Sequence, residues 1–124
     1  MLQVREGLLQ ALLWQRAREP FLGAWSAPGG YLEPGETLEE SIRGHLAEKV
    51  DVREIAWLEQ VATHSRVDRD PRGRALATAY LALVPAGAEP RLPQDTRWYD
   101  VDALPRTAFD HHHFIEAAVD RLRA

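Results

Sequence analysis

Gly29-Gly30-Tyr31-Leu32-Glu33-Pro34-Gly35-Glu36-Thr37-Leu38-Glu39-Glu40-Ser41-Ile42-Arg43-Gly44-His45-Leu46-Ala47-Glu48-Lys49-Val50-Asp51-Val52 decides the reading of this chain, because a glycine-rich loop runs there straight into an amphipathic helix. Thr37 followed three residues later by Glu40 is a capping box, in which the hydroxyl and the carboxylate each satisfy an orphan amide of the first turn. The helix is therefore expected to start near Thr37 and, after the recurring Leu38, Ile42, Leu46 and Val50, to end at Asp51. Those four residues predict one buried stripe. At about 100° per residue, with Leu38 at zero, Glu48 falls near ~280°, His45 near ~340° and Lys49 near ~20°. The three share an arc beside the stripe, on the side over which the loop would fold back.

Composition narrows the function classes. A chain of 124 residues is expected to form a single domain, 1–124, with one core. Apolar residues at 45% and charged residues at 27% are normal for a globular protein and exclude a disordered tail as the whole account. No stretch approaches the ~18 to 20 consecutive apolar residues of a membrane span, and no signal peptide is visible, so a cytoplasmic location without membrane contact is expected. The chain has no cysteine, which removes disulfides and thiolate metal sites. A net charge of -4 argues against nucleic-acid binding by this domain alone.

Around the opening stretch, the chain reads as an alternation of strands and helices. Leu2 and Val4 alternate before the Glu6-Gly7 turn, and Leu8 to Trp14 follows as a nearly continuous apolar run, read as a strand covered on both faces, with a short helix as the alternative. Ile55 to Ala62, Ala75 to Val84 and a short edge strand at Arg97 to Val101 follow, with the proline-rich 85–95 as a surface connection. Asp110 reads as the N-cap of a last helix whose Phe114, Ile115, Ala118, Val119 and Leu122 share one face. Neighbouring residues of a helix point about 100° apart, so His111-His112-His113 cannot converge on one ion and reads as a polar first turn. Arg16, Arg18 and the arginines of the 66–74 loop are either solvated charges or contacts to an anionic ligand.

The spacing from Gly30 to Glu36 and on to residues 44–52 resembles the Nudix box. Gly30, Glu36, Leu46, Glu48 and Val52 match that pattern, whereas Gly44, His45, Lys49 and Asp51 stand where it has Arg, Glu, Glu and Gly. Leu58-Glu59-Gln60, Asp68 to Arg74, Ala79-Tyr80-Leu81, Trp98 and Ala108-Phe109-Asp110-His111 look like the Nudix-related transcriptional regulators of NAD metabolism. The resemblance implies a Nudix-type α/β/α sandwich with a mixed β-sheet, here without the winged helix that follows it in those regulators. It also implies an ADP-ribose-type ligand, with Arg16, Arg18, Gly29, Gly30, Arg69, Arg72 and Tyr80 as its binding residues.

In active members of the family, carboxylates on the helical arc hold Mg²⁺ or Mn²⁺. Hard divalent cations want several anionic oxygens, and an ammonium within ~4 to 6 Å repels them by several kcal/mol. A sensor binding an ADP-ribose-like nucleoside diphosphate, with weak or no hydrolysis, is therefore the first expectation. The alternative is a metal-dependent pyrophosphatase working through Glu48 and Glu36, with Glu48 and His45 as metal ligands and Glu59 as an extra ligand or base. A third reading is a structural or homodimerising domain with Trp25 and Trp98 on its partner surface.

Overall fold

In the computed structural model, which describes residues 1–124, the chain runs β1 (Leu2–Arg5), β2 (Leu8–Gln15), β3 (Trp25–Ser26), α1 (Leu38–Val50), β4 (Trp57–His64), β5 (Ala77–Leu83), β6 (Thr96–Asp100) and α2 (His111–Arg123). Glu6 and Gly7, with φ of 53° and 78°, form a tight turn whose twist matches that of the strands it joins. β2 pairs antiparallel with β1 and β3 along one edge and with β6 along the other. β1 lies parallel to β5 through Leu2 and Leu83, and β5 forms a hairpin with β4 that carries a bulge between Gln60 and Ala62. The sheet is mixed and six-stranded.

Alternation along β2 explains its continuous apolar run. Ala11 and Leu13 enter the core that α2 closes with Ile115, Ala118 and Val119, while Leu12 faces Leu46 and Val50 of α1. Both faces of the sheet are thus covered, and the architecture is the expected α/β/α sandwich with a mixed sheet. Each fully buried leucine contributes roughly 1.5 to 3 kcal/mol by leaving water, so β2 is worth more to the core than a half-exposed strand of equal length.

α1 begins where the capping box puts it. Thr37 Oγ1 accepts from the Glu40 amide at 3.1 Å and Glu40 Oε1 accepts from the Thr37 amide at 3.2 Å. Thr37→Ala is expected to lower stability by about 1 kcal/mol in chemical denaturation, and an unchanged midpoint would show that water replaces the hydroxyl without loss. At the other end Asp51 turns left-handed at φ 57°, and its carboxylate receives the Arg91 amide at 2.8 Å, tying the 85–95 connection to the helix.

Several expectations are corrected. Leu38 is 41% exposed and Ser41 is buried instead, because the first turn of α1 overhangs a cleft rather than the sheet. Trp25 is buried edge-on against Tyr99, and Trp98 is half-buried with the Arg5 guanidinium 5.2 Å from its ring, so neither forms an open partner surface. Asp110 occupies the N-cap position of α2 without capping it. No helix is long and apolar enough to cross a membrane.

Candidate functional site

A cleft of about 1140 Å³ is lined by the 29–32 loop, the inner face of α1, segment 69–76, Tyr80 and residues at the start of α2. β3 fixes that last wall. Trp25 donates its amide to the Arg106 carbonyl at 2.9 Å and accepts from the Ala108 amide at 2.8 Å, which delivers Phe109 and His111 to the cleft side of the sheet. The Ala27 amide then donates to His111 Nδ1 at 3.0 Å. Burial pushes His111 down to about 4, so the ring is neutral near pH 7 and carries its proton on Nε2. His111 is therefore no part of a solvated polar turn but a structural acceptor 84 residues from its donor.

The glycine-rich loop is strapped to α1 by two side chains. Lys49 Nζ donates to the Gly29 carbonyl at 2.6 Å, and His45 Nε2 lies 2.9 Å from the Tyr31 carbonyl. A carbonyl only accepts, so His45 carries a proton on Nε2. Between these two contacts Gly30 passes so close that a Cβ there would collide with the His45 ring. This close approach is the physical reason for glycine at position 30.

The sequence-predicted acids do not gather here. Glu48 is exposed, makes no hydrogen bond or ion pair, and is absent from the cleft wall that Ser41, Ile42, His45, Leu46 and Lys49 of α1 build. Glu36 closes its own turn by accepting the Glu33 amide at 2.8 Å. Glu59 is taken by Arg121 of α2 and by the Trp57 indole at 3.1 Å. No group of three or more His, Cys, Asp or Glu is arranged to hold a metal ion. The residues present do not fit a divalent cation, since an ammonium occupies the Gly29 carbonyl and an imidazole N–H the Tyr31 carbonyl.

Cations dominate instead. Arg16 donates Nε to the Pro20 carbonyl at 2.6 Å and lies 5.8 Å from the Trp14 ring. Arg18 is exposed on the cleft wall, and Tyr80 of β5 is half-buried there. Arg72 is held by Asp70 in a forked pair at 2.9 and 3.1 Å, which keeps the Asp70 carboxyl below its ordinary range. Arg69, expected to bind ligand, is 6% exposed and forks onto Asp110 at 2.7 and 3.0 Å. Burial would raise the Asp110 carboxyl, but this guanidinium outweighs it and holds the group below its usual value. Arg69 is thus a brace between the 66–74 loop and α2, and it explains why Asp110 leaves the helix uncapped.

Sequence reasoning missed Phe109 and His111 as parts of the cleft, Asp110 as the partner of Arg69, and Tyr31 as the partner of His45. Only the clustering of aromatic and acidic residues just ahead of α2 hinted at them.

The chain belongs to the NUDIX family: the NUDIX domain model matches residues 2–118. It is similar to the NUDIX domain of Shewanella oneidensis NrtR, whose structure was determined in complex with ADP ribose, at 34% identity and a TM-score of 0.83 over 98% of this chain and 82% of that one. Among characterised proteins it is 34% identical over 126 residues to the ADPR responsive transcriptional repressor NtrR of Acinetobacter baylyi, covering 96% of this chain and 50% of the relative. It is 33% identical over 109 residues to an ADP-ribose pyrophosphatase of Methanocaldococcus jannaschii, covering 85% of this chain and 63% of the relative. The chain therefore spans between half and two thirds of the length of these two relatives.

Proposed function

We propose that this chain is a NUDIX module that binds an ADP-ribose-type nucleoside diphosphate without a divalent ion and hydrolyses it weakly or not at all. The observation that carries this reading is the Lys49 ammonium on the Gly29 carbonyl, a fixed positive charge beside the loop, with Arg16, Arg18 and Arg72 on the same cleft. Guanidinium and ammonium groups neutralise a diphosphate directly and supply charge-assisted hydrogen bonds, so the ligand needs no bridging metal. The ADP-ribose complex of the Shewanella relative and the ADPR-responsive Acinetobacter repressor support the choice of ligand. We take the ligand to be a cytoplasmic nucleotide and the chain to act in that compartment, as a monomer or a homodimer.

Calorimetric titration of ADP-ribose in the presence of chelator tests the reading. Heat and saturation are expected, with an affinity that added Mn²⁺ leaves unchanged. No heat and no thermal shift with ADP-ribose, NAD or related diphosphates would remove it.

A second reading, hydrolysis, is favoured by the resemblance to the Methanocaldococcus pyrophosphatase. Here Glu48, unpaired on the surface of α1, is the carboxylate to test. Cleavage of ADP-ribose by water to AMP and ribose 5-phosphate with Mn²⁺ that disappears in Glu48→Gln would establish catalysis, whereas cleavage that survives the substitution would point to another protein in the preparation.

A further inference from the structure

We propose that Phe109 is a positioning residue, whose ring gathers the guanidiniums of Arg16 and Arg72 from two separate loops into one anion-gripping pair on the cleft wall. This inference rests on the diphosphate reading of the same cleft. Arg16 lies 5.2 Å and Arg72 5.4 Å from the centroid of the Phe109 ring. The two arginines are 56 positions apart in the chain (72 minus 16), and no hydrogen bond joins their loops to each other. The aromatic face is what they share.

Stacking suits this task because a guanidinium over a ring is attracted through its plane and keeps its in-plane N–H groups for an oxyanion. Arg16 uses only Nε, on Pro20, and has no carboxylate partner, while Arg72 uses Nε and Nη2 on Asp70. Arg72 also contacts the Tyr31 side chain, but its Nη1 donates to no carboxylate, so terminal N–H groups remain for an anion on both arginines, and both side chains line the cleft.

The backbone carries a second, independent sign. Phe109 sits at φ 53° and its ring neighbour Phe21, with centroids 4.7 Å apart, at φ 62°. Bulky residues avoid this left-handed region, where glycine or asparagine would sit without strain. Strain of this kind persists where the surroundings over-determine it, and it clusters at ligand sites. Position 109 thus keeps an aromatic ring in a conformation that favours having none.

The test titrates ADP-ribose and, separately, inorganic pyrophosphate into the full chain as wild type, Phe109→Leu and Phe109→Tyr, with a thermal melt of each. Phe109→Leu is expected to weaken both ligands by the same factor, roughly tenfold, because the two stacking contacts are lost together. Phe109→Tyr keeps the aromatic face and is expected to bind both as the wild type does. Phe109→Met takes the place of the leucine variant if that one does not fold. Unchanged affinity in Phe109→Leu overturns the inference, and so does equal loss in the leucine and tyrosine variants. A loss confined to ADP-ribose overturns it as well, since the ring would then be touching the nucleoside rather than aiming the arginines. Wild type that binds pyrophosphate but not ADP-ribose sinks the nucleotide reading alone, and wild type that binds neither sinks both.

Discussion

Replacing Asp110 by alanine is expected to destabilise the fold by about 3 to 5 kcal/mol, because it strands a buried guanidinium without its counter-charge. The partner, Arg69, is 6% exposed and donates both its fork contacts to this one carboxylate. Against a total stability of roughly 5 to 15 kcal/mol, such a loss would leave the domain partly unfolded at ambient temperature. The double variant Arg69→Met/Asp110→Leu is expected to recover most of it, since a buried ion pair replaced as a unit by apolar groups is close to neutral. A single and a double variant with equal losses would mean that the contact matters through packing and not through charge. The sign with pH follows from the depressed Asp110 carboxyl. Its contribution is fully present above the unfolded value of about 4 and disappears as pH falls through the lower folded value, so wild type and Asp110→Ala converge in acid. Urea titrations between neutral and acid pH would read that convergence directly.

Lys49→Glu is expected to weaken ADP-ribose binding in chelator on the order of 100-fold, since reversing a charge, a change of two units, at ~10 Å from one phosphate charge is worth about 3 kcal/mol at an effective dielectric near 20. The substitution also removes the 2.6 Å strap on the Gly29 carbonyl. Mn²⁺ is expected to recover part of the loss in the variant, because the new carboxylate and the freed carbonyl are oxygen ligands of the kind the cation accepts, and to leave the wild type unaffected. Wild-type binding that vanishes in chelator would reverse the assignment and make Lys49 a bystander.

The parts of this structure that were legible in the sequence are those whose signals are local. The Thr37 and Glu40 cap, the Glu6-Gly7 turn and the two-sided burial of β2 are each decided within one turn or one strand, by hydrogen-bond demand or by apolar spacing. Leu38 misled because helical period says which residues share a face and not how far the helix extends past what it covers. The site was harder for the same reason. Glu36, Glu48 and Arg69 have the right chemistry for ligand or metal, but their roles depend on who reaches them first: the Glu33 amide, no one, and Asp110 respectively. Lys49 was recognised as a charge that disfavours metal, yet its bond to Gly29 requires knowing that the loop folds back across α1. His111 shows the limit most clearly, for a histidine in a run of three carries no mark that a backbone amide 84 positions earlier will claim one of its nitrogens.

The central place of β2 has a bearing on how the chain acquires its shape. One of its edges is completed only when Gln10 to Trp14 meet Thr96 to Asp100, and β1 finds β5 through Leu2 and Leu83. During synthesis, most of the polypeptide must therefore leave the ribosome before either pairing can form, and in that interval an apolar strand presents unsatisfied amides and carbonyls to its surroundings. Closing loops of this span ahead of any compensating contact makes for slow folding, so the nascent molecule depends on its early turn and capped helix to limit the time it spends prone to aggregation.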